Sequence, residues 1–149
     1  MSDKPDEATV RAWARLTRAQ QRAQDAIEGA LKAAGLPPLA WYDVLLETER
    51  AGKAGLRPFE LERAMLLAQY NLSRLLERIE AAGYLERRPC EEDGRGHRLL
   101  VTDSGRALRR KMWPVYAKAI EAAVGQHLSA RQAKTLGELL GFLIEGPTG

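Results

Sequence analysis

The sequence predicts a mainly α-helical protein with one small β-hairpin past its middle and helices at both ends. Three observations carry this. Apolar residues recur at helical spacing over most of the chain. Two short strand-like runs flank a polar segment containing Asp93-Gly94 and Gly96. Glycine, proline and Ser/Thr signals fall where helices should start and stop.

From Glu7 to about Ala34, Val10, Trp13, Ala23, Ile27, Ala30 and Leu31 form one face of a first helix, with Arg and Gln opposite. "GLPP" at 35–38 ends it, because Gly suits the C′ position and Pro cannot continue a helix. A second helix follows from about Leu39 to Arg50, with Trp41, Val44, Leu45 and Thr48 inward. "AGKAGLRP" reads as a loop. Pro58 suits the first turn of a short third helix to about Leu66, burying Leu61 and Met65.

"YNLSRLLERIEAAG", Tyr70 to Gly83, follows as a fourth helix. Leu72, Leu75, Leu76 and Ile79 lie at i, i+3, i+4 and i+7 and make its apolar stripe. Asn71, Ser73, Arg74, Glu77 and Arg78 occupy the other side. Gly83 suits a left-handed C′ position. Tyr84 to Arg88 and His97 to Val101 suit the two strands. Thr102 can cap a long helix from about Ser104 to His127. Ser129 and Gln132 form an S-x-x-Q capping box for the last helix, about Ala130 to Glu145, with Leu136, Leu139, Leu140 and Leu143 inward.

At 149 residues the chain suits one domain or two intimate subdomains. It is 45% hydrophobic and 29% charged, an ordinary balance for a folded soluble protein. No apolar run approaches a membrane span, so no membrane partner is expected. The polar, acidic start "MSDKPDEATVRAW" does not read as a signal peptide, and a cytoplasmic location is expected. Cys90 is the single cysteine, and His97 and His127 are the only histidines, so neither a metal nor a cofactor is expected. No nucleophile elbow, phosphate loop, dinucleotide fingerprint or metal-ligand cluster appears, and an enzyme is not expected.

The net charge of +3 is too small to establish nucleic-acid binding; distribution says more. Arg87, Arg88, Arg95, Arg98, Arg106, Arg109, Arg110 and Lys111 crowd one stretch. Short helix, turn, amphipathic helix and hairpin, in that order, make a winged helix-turn-helix. A helix fits the major groove, and its early residues reach base edges. The exposed early positions are Gln69, Tyr70, Asn71, Ser73 and Arg74. Gln and Asn can pair with adenine and Arg with guanine. Arg95, on the hairpin tip between glycines, suits a narrow minor groove.

Leu56 to Leu108 resembles the MarR family of bacterial transcription regulators. The carriers are Arg74-Leu75 through Gly83, Glu86 to Pro89, Asp93-Gly94-Arg95, and Val101-Thr102 to Arg106. The resemblance implies a homodimer built on intertwined terminal helices. Two winged modules would then read an inverted repeat in double-stranded DNA. The Val10–Leu31 and Leu136–Leu143 stripes agree, since each lacks an obvious full complement within so small a chain. The implied layout is an N-terminal dimerisation helix at 1–36, a DNA-binding domain at 37–104 and C-terminal dimerisation helices at 105–149.

By the same resemblance, Gln69, Tyr70, Asn71, Ser73 and Arg74 begin the recognition helix. Arg95 is the wing arginine and Asp93 the acid that braces it. Arg78 and Arg88 are backbone contacts or structural ion pairs. Repression is the default mode, released by a small aromatic or phenolic effector, for which Trp13, Trp41, Tyr42, Trp113 and Tyr116 are the candidate aromatics. Two alternatives stand beside this reading: a winged module used only for protein contacts, and a redox-sensing regulator acting through Cys90.

Overall fold

The computed structural model describes residues 3–89 and 96–146. Cys90, Asp93 and Arg95 lie outside the described residues. The chain forms two compact units, Leu31–Val115 and Met1–Ala30 with Tyr116–Gly149. The sequence places its domain joins at 36/37 and 104/105. The joins between the compact units fall at 30/31 and 115/116.

Among the described residues six α-helices and one hairpin appear in chain order: α1 Glu7–Ala33, α2 Leu39–Ala51, α3 Pro58–Ala64, α4 Leu72–Ala81, β1 Leu85–Pro89, β2 His97–Val101, α5 Asp103–Ala123 and α6 Ala130–Glu145. The arrangement is a winged helix-turn-helix with flanking helices. Its core joins Val44 and Leu45 of α2, Leu61 of α3, Leu76 and Ile79 of α4, Leu85 of β1, and Leu99 and Val101 of β2. The apolar stripe read from α4 is what this core receives; Leu72 and Leu75 pack against its edge.

Local chemistry explains the boundaries. Pro58 opens α3, and the Arg57 N–H donates to Glu60 Oε1 at 3.0 Å. Gly83 closes α4 with φ 87°, while the N–H groups of Gly83 and Tyr84 donate to the carbonyls of Glu80 (2.9 Å) and Ile79 (3.1 Å). That pair of bonds satisfies the last carbonyls of the helix, and it needs a residue that tolerates the left-handed region. β1 and β2 pair antiparallel, with Leu85 opposite Val101 and Pro89 opposite His97. Ser129 and Gln132 form the foreseen capping box, with bonds of 3.1 and 2.9 Å.

Four expectations need correction. α4 begins at Leu72 rather than Tyr70, because Asn71 is its N-cap: the Asn71 side-chain oxygen accepts from the Arg74 N–H at 3.1 Å. The loop after α2 holds a 3-10 turn at Gly52–Ala54, after which Leu56 bridges Leu99 through bonds of 3.0 and 2.7 Å, a one-residue third strand. α5 ends at Ala123, not His127, and a separate 3-10 turn spans Gly125–His127. Val124 leaves helical geometry there, just ahead of a glycine that favours helix least after proline. The leucines expected inward on α6 are not buried: Leu136, Leu139 and Leu143 are exposed, as are Val10 and Trp13 on α1. Nothing among the described residues covers them. Among the described residues no helix is long and apolar enough to cross a membrane.

The start of α5 is the tightest junction. The Thr102 hydroxyl donates to the Gly83 carbonyl at 2.7 Å and accepts from the Gly105 N–H at 3.0 Å. A methyl group on Gly105 would overlap the Tyr84 carbonyl oxygen and lie 2.7 Å from Val101 Cγ2. Alanine would gain up to about 1 kcal/mol of helix propensity at this site. Overpacking against backbone that cannot yield costs about 1–3 kcal/mol. Gly105→Ala is therefore expected to lower stability, read as a lower urea midpoint; an unchanged or higher midpoint would refute this account of the junction.

Candidate nucleic-acid interface

Helical arithmetic builds the outward face of α4. Burying Leu76 and Ile79 turns Ser73, Arg74, Glu77 and Arg78 toward solvent, and all four are exposed. Among the described residues Arg74 and Arg78 make no ion pair, either with Glu77 or with any other acid. Tyr70, just ahead of the cap, is fully exposed, whereas Gln69 is half-buried. Among the described residues the N-terminal turn thus presents the unpaired Arg74 guanidinium and the Ser73 hydroxyl, with the Tyr70 phenol just ahead of it and Arg78 in the last turn. Such a turn also offers backbone N–H groups to phosphate oxygens.

Asn71 has a prior commitment. Its side-chain oxygen caps the helix, so its amide N–H₂ is the part left to donate outward. Arg88 lies on the exposed strand edge and pairs with Glu86 at 2.6 Å. Arg87 pairs with Glu80 at 2.7 Å and so ties β1 to α4. The hairpin residues expected to grip DNA, Asp93 and Arg95, fall outside the described residues.

The aromatic candidates have separate placements. Trp41 packs on the core and meets Tyr84 edge-on, with ring centroids 6.1 Å apart. Tyr42 is buried and stacks on Trp113, also at 6.1 Å, with the rings 24° apart. Trp113 remains about half exposed. Trp13 and Tyr116 belong to the other unit. None of the five lines either of two open clefts: one of 720 Å³ beside Lys53, Arg88 and Arg106, and one of 640 Å³ beside Arg15, Arg18 and His127.

The sequence reading passed over two features that hold this face in place. Asp43 is buried on α2, and its Oδ2 accepts from the N–H groups of Leu66 (2.6 Å) and Leu67 (3.2 Å) in the turn before α4. A lone acid inside the apolar run "LAWYDVLL" was its signal. Burial pushes the Asp43 carboxyl above its usual range; the bonds from Leu67 and Leu66 oppose this, and nearby Glu47 adds to it. The second feature is Arg109 of α5, which pairs with Glu49 of α2. That bond stabilises the charged guanidinium and raises its pKa, with Tyr42 contributing a further hydrogen bond. No spacing signal joins two residues so far apart in the chain.

Residues 34–96 match the model of the MarR family. The HTH-type transcriptional regulator PecS of Dickeya dadantii (strain 3937) is 34% identical over 68 residues, which is 45% of this chain and 41% of PecS. This chain therefore matches less than half the length of that relative. Sco3205, a MarR family transcriptional regulator from Streptomyces coelicolor solved in complex with DNA, has a TM-score of 0.85 at 25% identity, covering 98% of this chain and 95% of that one. BpsR of Bordetella bronchiseptica, whose regulation of DNA binding by 6-hydroxynicotinic acid has been described, has a TM-score of 0.82 at 21% identity, covering 97% and 100%.

The raised Asp43 carboxyl has a defined consequence for stability. A carboxyl whose folded pKa lies above its unfolded value costs stability while ionised, and that cost is relieved as pH falls through the folded pKa. Wild type should therefore gain stability relative to Asp43→Asn as pH drops from neutral toward the ordinary carboxylate range. Paired urea titrations across that window check it; a gap that stays constant or moves the other way contradicts the assignment.

Proposed function

We propose that this chain, as a member of the MarR family of transcriptional regulators, is a homodimeric repressor, that it binds an inverted repeat in duplex DNA through α4, and that a small aromatic or phenolic effector releases it. One observation carries the DNA reading. The flank of α4 opposite its buried leucines holds Ser73, Arg74 and Arg78 exposed, and neither arginine makes an ion pair among the described residues. In this reading Arg74 and the Asn71 amide reach base edges, while Tyr70, Ser73, Arg78 and Arg88 hold phosphates. Gln69 sits at the edge of the contact. Arg95, braced by Asp93, enters the adjacent minor groove.

The dimer reading rests on apolar exposure in the unit that contains α1 and α6. Trp13 is 67% exposed, Leu139 55% and Leu143 70%, and α6 has no buried residue at all. Large apolar side chains exposed in such number mark an interface rather than a finished exterior. A second copy, related by a two-fold axis, covers it with the same surface and sets two recognition helices on half-sites about one helical turn apart. Effector release is supported by the likeness to BpsR, and repression follows from a small dimer occluding a promoter.

Selection of bound duplexes from a random pool tests the reading directly, and enrichment of an inverted repeat is expected. Arg74→Ala should weaken binding to the selected duplex by about 1–3 kcal/mol in a gel shift at fixed salt. Unchanged affinity would remove Arg74 from the contact set. Replacing Leu139 and Leu143 together by Glu should convert the dimer to a folded monomer in sedimentation equilibrium and abolish tight binding. A dimer that survives both changes would place the interface elsewhere.

A further inference from the structure

We propose that Asp43 is a positioning residue for DNA binding: its buried carboxylate fixes the turn between α3 and α4 and so sets where the outward face of α4 begins. The proposal rests on reading α4 as the DNA-facing helix.

The turn has few other means of support. α3 ends at Ala64, and its C-cap Met65 is already extended, with ψ 139°. α4 does not begin until Leu72. The N–H groups of Leu66 and Leu67 lie between, where no helical carbonyl is in register to accept them. Asp43 accepts both on one oxygen, from a position more than twenty residues earlier in the chain. The Leu66 side chain does little of this work, since it is 71% exposed, although Met65 packs on the core. Two backbone amides held by one carboxylate leave that stretch little freedom to swing. Bonds to an ionised acceptor are also stronger than neutral ones.

Asp43 is itself held firmly. The neighbouring Tyr42 stacks on Trp113, and Glu49, further along the same helix, pairs with Arg109; both partners lie on α5. α2 is thus pinned to α5, and Asp43 reaches from it into the turn. The carboxylate passes the position of that anchored helix to the backbone leading into Tyr70, Asn71 and Arg74. Misplacing this entry would move every base-facing group together while leaving their chemistry intact. The expected signature is therefore a loss of discrimination between sequences, not a general loss of charge attraction.

The test compares wild type, Asp43→Asn and Asp43→Ala on the selected duplex and on a scrambled duplex of equal length. It is run at fixed salt and at a temperature where circular dichroism shows each protein folded. Asp43→Asn keeps an oxygen that can accept both N–H groups and should bind the selected duplex much as wild type does. Asp43→Ala should lose about tenfold or more on that duplex, with unchanged binding and salt slope on the scrambled one. Equal losses on both duplexes, or none on either, would overturn the proposal. Should Asp43→Ala not fold, amide hydrogen exchange on wild type decides the matter: Leu66 and Leu67 must be protected, and exchange at the rate of unprotected amides overturns the brace. A wild type that enriches no duplex sinks the DNA reading itself. Specific binding by wild type matched by Asp43→Ala sinks only the role of Asp43.

Discussion

The governing constraint is the one-sided burial of α4. Leu76 and Ile79 are enclosed by residues of α2, α3 and the two strands, and Leu72 and Leu75 close the edge of that contact. A helix that turns 100° per residue cannot bury these positions without turning Ser73, Arg74 and Arg78 away. The outward face is thus a geometric consequence of the core. Any change in how the leucines seat rotates the polar row by the same angle. Interior packing tolerates little such slippage.

Charge is distributed in the same spirit. Arg87, Arg88, Arg106 and Arg109 each have an acidic partner, and two of these pairs join elements, β1 to α4 and α5 to α2. Arg74 and Arg78 have none among the described residues. A net charge of +3 conceals this division, because paired and free guanidinium groups count alike in a sum. Exposed pairs add little stability. Their effect is to neutralise those four arginines, whereas Arg74 and Arg78 keep their charge on the outward face of α4.

Much of this was legible in the residues. The 3.6-residue periodicity gave the helices and the buried side of α4, while Gly83, Thr102 and the Ser129–Gln132 pair marked helix ends through chemistry that acts over a few residues. Legibility failed where tertiary partners decide. Asn71 reads equally as a base contact or a cap, and the choice depends on where the preceding turn places the backbone. Asp43 shows in the sequence only as a lone acid in an apolar run, because its partners, the backbone amides of Leu66 and Leu67, carry no side-chain signature. Leu136, Leu139 and Leu143 have the spacing of a buried stripe, yet spacing cannot say whether the covering surface belongs to the same chain. Arg95 and Asp93 rest on the sequence pattern alone.

The Thr102 hydroxyl ties the exit of α4, the end of β2 and the entry of α5 through a single oxygen atom. The base of the hairpin is thereby closed by local bonds. Position 102 accepts serine, which keeps both bonds, and rejects valine, which has the shape and neither bond.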